Sequence, residues 1–237
     1  RYPLVTGVQT CALPISKNIL SFLLLKGIIL IGGVPGSAHA EDLCAPFQDG
    51  RIDESVMSTM LKAAEAGYLY RIQASTSQVG FCVDSKFQRV NGVFKDFQGG
   101  MALIPETAKT GQTVVVIKTD SLDTRGSLIG NLIRSQRFFD VANYPEILFV
   151  STDFKWINAT QAELRGNLTL HGVTRPVIFN VEVSGNGDQS IGEAEDILVK
   201  ATTRISRSDF GMDTLSTLVS DTVQLCMSVK AKRYREA

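Results

Sequence analysis

The sequence predicts an all-β protein whose strands close into an antiparallel barrel. Apolar and polar residues alternate in one segment after another, and few helical segments are available to cover an apolar sheet. Val177, Phe179, Val181 and Val183 interleave with Asn180 and Glu182, and Val223, Leu225, Met227 and Val229 with Gln224, Ser228 and Lys230. Val199, Ala201, Thr203 and Ile205 alternate with Lys200, Thr202 and Arg204, and Leu164, Gly166, Leu168 and Leu170 with Arg165, Asn167 and Thr169. Successive strand side chains point to opposite faces, so a period of two means one apolar face and one wet face. Closure hides the apolar face without helices. Such an interior is either filled by its own side chains or holds something, and function turns on which.

Taken in order, the chain starts at Arg1 and first reaches a methionine at Met57. Residues 1–16 fit nothing downstream and read as a non-native appendage, a natural upstream extension being the alternative. Residues 17–40 read as a signal peptide: Lys17 supplies a positive start, 19–34 is mostly apolar, and Ala38-His39-Ala40 gives a small-x-small cleavage pattern. Lys26, Gly27 and Gly32-Gly33 make a poor membrane span. The expectation is cleavage after Ala40 and a periplasmic protein with no stable membrane insertion, against the alternative of a retained anchor. Three of the 24 basic residues lie upstream of that cut, leaving 21 against 24 acidic residues, a charge of −3. That balance argues against nucleic acid and anionic headgroups as main partners. The remaining length suits one domain.

Residues 41–67 predict a helical extension after a loop, with Asp53 as N-cap, an apolar stripe of Val56, Met57, Met60, Leu61 and Ala64, and Gly67 as terminator. It would pack on the barrel's exterior or on one end. Strand-like segments follow at 68–74, 79–83, 90–103, 113–119, 147–154, 162–170, 176–184, 197–205 and 222–231, within a domain spanning 68–232. Gly99-Gly100 suggests a bulge or bend. Residues 124–135 predict a short amphipathic helix with Leu128, Leu132 and Ile133 on one side, 186–188 a turn, and 206–220 a long connection suited to fold over a barrel mouth.

Cys82 and Cys226 lie between inward-reading neighbours on the first long strand and the last, so both would point outward from adjacent strands. A bridge between them is geometrically reasonable; Cys44 competes for either, and unpaired thiols remain the alternative. The only histidine after residue 40, His171, reads as a turn residue without metal-ligand companions. No Gly-x-Ser-x-Gly, phosphate-cradling loop or His-Glu-x-x-His is present, and Asp96, Asp120, Asp123 and Asp140 show no acid/base spacing. The expectation is no enzyme, no cofactor and no metal. Trp156, the single tryptophan, reads as core in preference to cavity lining.

Several segments run in a specific order: Ser77-Gln78-Val79-Gly80-Phe81, Gly92-Val93-Phe94-Lys95-Asp96-Phe97-Gln98-Gly99, Phe138-Phe139-Asp140-Val141, Tyr144-Pro145-Glu146 and Phe149-Val150-Ser151-Thr152. Gly166-Asn167-Leu168-Thr169-Leu170-His171-Gly172-Val173-Thr174-Arg175-Pro176-Val177 and Arg207-Ser208-Asp209-Phe210-Gly211-Met212 complete the set. Together, over about residues 67–232, they resemble the YceI-like family. The resemblance implies a lipocalin-like barrel of about eight strands with one or two short flanking helices, export in bacteria, and a long isoprenoid or other amphiphilic lipid held in an apolar tunnel. The same motifs have structural readings: Gly172 and Pro176 as a hairpin turn, and Arg207 paired with Asp209 to hold the loop before the last strand. The segment 44–67 departs from the plain family pattern and leaves room for an extra lid.

With alternation and resemblance joined, the expected ligand-binding residues are Phe81, Phe94, Phe149, Leu168, Phe179, Val181, Leu225 and Met227. The leading reading is a non-catalytic lipid carrier. The alternatives are a stress-protective or interaction protein without ligand and an enzyme acting on a hydrophobic small molecule. A homodimer stays open.

Overall fold

The alternating segments become strands that pair antiparallel throughout. The computed structural model describes residues 52–103, 111–185 and 194–235. The expectations for residues 1–16, the signal at 17–40 with its cleavage after Ala40, the segment 41–51 with Cys44, and the turn at 186–188 lie outside the described residues. Helix α1 (Glu54–Glu65) precedes β1 (Leu69–Ile72), β2 (Gln78–Ser85), β3 (Arg89–Phe94), β4 (Phe97–Ala102), β5 (Gln112–Lys118) and β6 (Leu122–Thr124). Helix α2 (Ser127–Arg134) leads to β7 (Glu146–Trp156), β8 (Gln161–Leu170), β9 (Val173–Gly185), β10 (Asp196–Ser206) and β11 (Val219–Arg233).

The order β1-β4-β5-β7-β8-β9-β10-β11 returns to β1, whose pairing with β11 closes an eight-stranded barrel. One edge of β11 pairs with β10, and the other is long enough to hold two partners. Residues 231–233 pair with β1, and residues 219–228 pair with β2. β2, β3 and β6 therefore prolong β1, β4 and β5 along the barrel axis. The sequence predicts one strand over 90–103 with a bulge or bend at Gly99-Gly100. The structure breaks it at Lys95-Asp96 instead, where the Asp96 carbonyl accepts from Lys118 N and Lys95 N donates to Ser121 O. β6, three residues long, is too short to show alternation.

Burial alternates along β8, β9 and β10, whereas residues 223–228 of β11 are all half-buried. Val177, Phe179, Val181 and Val183 are buried while Asn180 and Glu182 are exposed. β5 differs, because Val114, Val115, Val116 and Ile117 are all buried. Val115 and Ile117 belong to the interior cluster, and α1 packs on β1, β4 and β5 from outside. A strand buried on both faces reads as a continuous apolar run. The Asp53 carboxylate caps α1 by accepting from Ser55 N at 2.8 Å, and hydrogen bonds from the Ser55 side chain and backbone hold its pKa below the ordinary value. Met60 and Ala63 form the buried stripe of the helix. Met60 reaches the backbone at Gly100, where the missing side chain lets the helix approach.

His171 and Gly172 form the two-residue β8–β9 turn, with φ of 51° and 73°. Both central residues of such a hairpin turn need positive φ. Pro176 is not part of that turn. It lies within β9 opposite Asn167, before β9 begins to pair with β10, at an edge position where its missing N–H costs no ladder bond.

Candidate functional site

The interior is packed at one end and hollow at the other. At the packed end the inward residues are Phe154, Ala162, Leu164, Val181, Val183, Ile197, Val199, Ala201, Val229 and Ala231, all buried in one cluster. Trp156 joins it, stacked edge-on to Phe154 at 5.0 Å. Tyr70 is fully buried; its hydroxyl donates to Ala194 O at 2.7 Å and accepts from Arg233 Nη2 at 2.9 Å. The Arg233 guanidinium also lies 5.4 Å from the Tyr70 ring centre.

At the other end the same alternation leaves a chamber of about 320 Å³. Its wall is built by Val79, Phe81 and Val83 from β2, Val115 and Ile117 from β5, Ile147 and Phe149 from β7, and Leu168 and Leu170 from β8. Phe81, Phe94 and Phe139 form a triangle of rings 5.7–6.1 Å apart, and Phe149 meets Phe179 edge-on at 5.3 Å. Two glycines make room for this aromatic wall. A Cβ at Gly92 would collide with the Phe81 ring, and one at Gly166 with the Phe149 ring.

Seven of the eight residues expected to line the interior do line this chamber: Phe81, Phe94, Phe149, Leu168, Phe179, Leu225 and Met227. Val181 does not. It is buried at the packed end, opposite Ala162 and Ala201, two residues beyond Phe179 along β9. Period-two alternation tells inward from outward but not one end of a barrel from the other.

Three elements rim the mouth: the β2–β3 hairpin with Phe87 and Gln88, helix α2 with Ile129, Leu132 and Ile133, and the 207–218 connection with Met212, Leu215 and Leu218. On the mouth side β6 ends the strand order, and α2 with Phe138 and Phe139 stands beyond it. The long connection does fold at the mouth, held by Arg207, which is buried. Its guanidinium donates to four carbonyls: Ser220 O at 3.0 Å, Thr214 O at 2.9 Å, Val219 O at 3.2 Å, and Met212 O. The expected Arg207–Asp209 pair is not formed. Asp209 is exposed and its backbone carbonyl accepts from Arg175 Nε instead. A guanidinium offers five donors in a fixed fork, enough to gather a loop by its backbone alone.

Cys82 and Cys226 lie on neighbouring strands, as expected, but both are free thiols. The register is diagonal, with Cys82 opposite Gln224 and Cys226 opposite Gly80, and Cys82 Sγ accepts from Arg89 Nη2 at 2.7 Å. The expected bridge is therefore not formed. Burial, and the neighbouring Cys82, push the Cys226 thiol up from its ordinary pKa. His171 is engaged structurally: Nδ1 lies 3.1 Å from Phe210 O and the ring 4.6 Å from that of Tyr144.

Sequence reasoning missed the rim residues Phe87, Phe138, Phe139, Leu215 and Leu218, which lie in connections where no period operates. The Phe138-Phe139 doublet was the available signal, since two adjacent aromatics in a polar connection need cover.

The fold and its chamber define a closed antiparallel β-barrel with an apolar internal compartment. Residues 70–231 match the YceI-like domain, and the chain belongs to the YceI-like family. It is 30% identical to Protein YceI of Salmonella newport over 76% of this chain and 94% of that one. It is 35% identical to a UPF0312 protein of Pseudomonas putida strain W619 over 62% of this chain and 75% of the relative. In fold it is similar to BcnA of Burkholderia cenocepacia, with a TM-score of 0.62, 23% identity, and coverage of 68% of this chain and 99% of that one. It is also similar in fold to a polyisoprenoid binding domain from Saccharophagus degradans, with a TM-score of 0.53, 19% identity, and coverage of 69% and 98%.

Proposed function

We propose that this protein is a non-catalytic carrier that holds an isoprenoid or other amphiphilic lipid, chain inward, in the chamber. The carrying observation is the chamber itself: about 320 Å³, with walls apolar apart from Ser85, Gln88 and Arg207. That size falls at the small end of ligand pockets, and an apolar wall with few polar groups suits a chain rather than a polar metabolite. Arg207 is committed to loop carbonyls, and no side chain at the wall is arranged as a nucleophile beside a base. A chain too long for the chamber would leave through the mouth, with its headgroup outside. The polyisoprenoid binding domain similar in fold supports the same ligand class. A periplasmic location belongs to this proposal and rests on residues 17–40.

The test is detergent-free purification from a bacterial periplasm, followed by solvent extraction and mass spectrometry. The expected result is a long-chain lipid near one per protein and an intact mass beginning at Glu41. Protein that arrives empty and fails to bind an apolar fluorophore such as 1-N-phenylnaphthylamine would overturn the reading.

A further inference from the structure

We infer that the mouth of the chamber docks on an anionic lipid bilayer, an inference that rests on the lipid-binding reading of the chamber. Phe87 is 82% exposed, Leu128 85% and Leu132 37%. Single exposed apolar residues are ordinary on soluble proteins. These three stand together at one end. Leu128 and Leu132 are one helical turn apart on α2. β6 runs antiparallel to β3, with Thr124 opposite Gly92, and so delivers α2 to the level of the β2–β3 hairpin that carries Phe87. Phe87 and Leu132 also line the chamber, so apolar surface runs unbroken from the interior out to solvent.

The hairpin tip is held rigidly. Ser85 Oγ accepts from Phe87 N at 3.3 Å and Gln88 N at 3.1 Å, and Lys86 N donates to Leu218 O at 2.9 Å. The ring is thus presented to solvent at small cost in lost freedom.

Charge selects the partner. Residues 124–139 carry Arg125, Arg134 and Arg137 and no acid. Arg134 turns back onto Leu122 O, but Arg125 and Arg137 are exposed, as is Lys86 beside Phe87. Among the acids nearby, Asp84 lies 3.9 Å from Arg89 and Asp123 3.5 Å from Lys95, Asp140 is buried and accepts from Asn143, and Asp209, Asp213 and Asp221 are exposed within residues 209–221. Basic residues therefore sit beside the apolar tips, a local grouping that the overall charge balance does not show. Apolar tips flanked by basic residues suit the interface of an anionic bilayer. There a lipid chain would pass from acyl region to chamber without crossing water.

The experiment is flotation with phosphatidylcholine vesicles and with vesicles carrying phosphatidylglycerol, at low and high salt, beside a 1-N-phenylnaphthylamine titration in the absence of vesicles. Wild type should float with the anionic vesicles, less so at high salt. Leu128→Asp and the double variant Arg125→Glu/Arg137→Glu should each lower partitioning about tenfold. They should leave fluorophore affinity and thermal midpoint unchanged, because Leu128, Arg125 and Arg137 do not line the chamber. Wild type that binds the fluorophore but floats with no vesicle overturns the docking and leaves the carrier reading standing; failure of both assays removes both. Variants that keep their midpoint and float like wild type also overturn the docking.

Discussion

Single residues settle which end of the barrel is plugged and which is open. Tyr70 anchors the packed end through one donated and one accepted hydrogen bond. Tyr70→Phe keeps the ring and loses both, and should cost about 1–2 kcal/mol in urea unfolding. Burial pushes the Tyr70 phenol above its ordinary pKa of 10.0. A raised value means that the folded state favours the neutral phenol. Its contribution is complete below pH 10 and is lost as pH climbs through the higher folded value. Wild type should therefore lose more stability between pH 9 and pH 11 than Tyr70→Phe, as read by urea midpoints. At the open end, Leu225→Trp should fill the chamber and lower apolar fluorophore affinity at least about tenfold, while the protein still unfolds cooperatively. The sequence showed Leu225 and Phe179 facing inward because alternation carries that information. It did not show that Val181 is spent on packing, because axial position depends on where neighbouring strands begin and end.

At the scale of elements, one helix and several interrupted strands govern the outcome. α1 covers Val114 and Val116, the outward residues of β5, so that strand has no wet face. Met60→Asp would set a charge against that cover and should lower stability by about 3 kcal/mol or more, measured from the urea midpoint at constant m-value. The helix was legible because its apolar stripe and Asp53 cap agree. Its partner strand was legible too, though only as apolar and not as covered twice. The breaks at Lys95-Asp96 and before β6 were not legible. Each is fixed by backbone hydrogen bonds between distant turns, such as Lys95 N to Ser121 O, which leave no periodic trace. The grip of Arg207 was misread for a similar reason. A nearby acid is visible in sequence, whereas four convergent carbonyls exist only once the loop has closed.

For the whole molecule, closure depends on a single seam. Removing residues 219–235 would take away β11, the partner of β1, β2 and β10. That truncated chain should show no cooperative thermal transition by circular dichroism, because β1, β2 and β10 each lose the strand paired along one edge. The closed wall, the alternating interior and the YceI-like motifs were all readable from residues. The division into a packed half and a hollow half was not.

The seam also fixes when folding can finish. Tyr70 pairs with Arg233, a separation of 163 residues in sequence. Nearly all of the domain must be present before its first strand finds its last, and pairings that distant make folding slow. A nascent chain cannot close early. Until residue 233 is available, the apolar inner faces of eight strands stay open to any surface that will cover them, which makes the unfinished chain a natural client for chaperones.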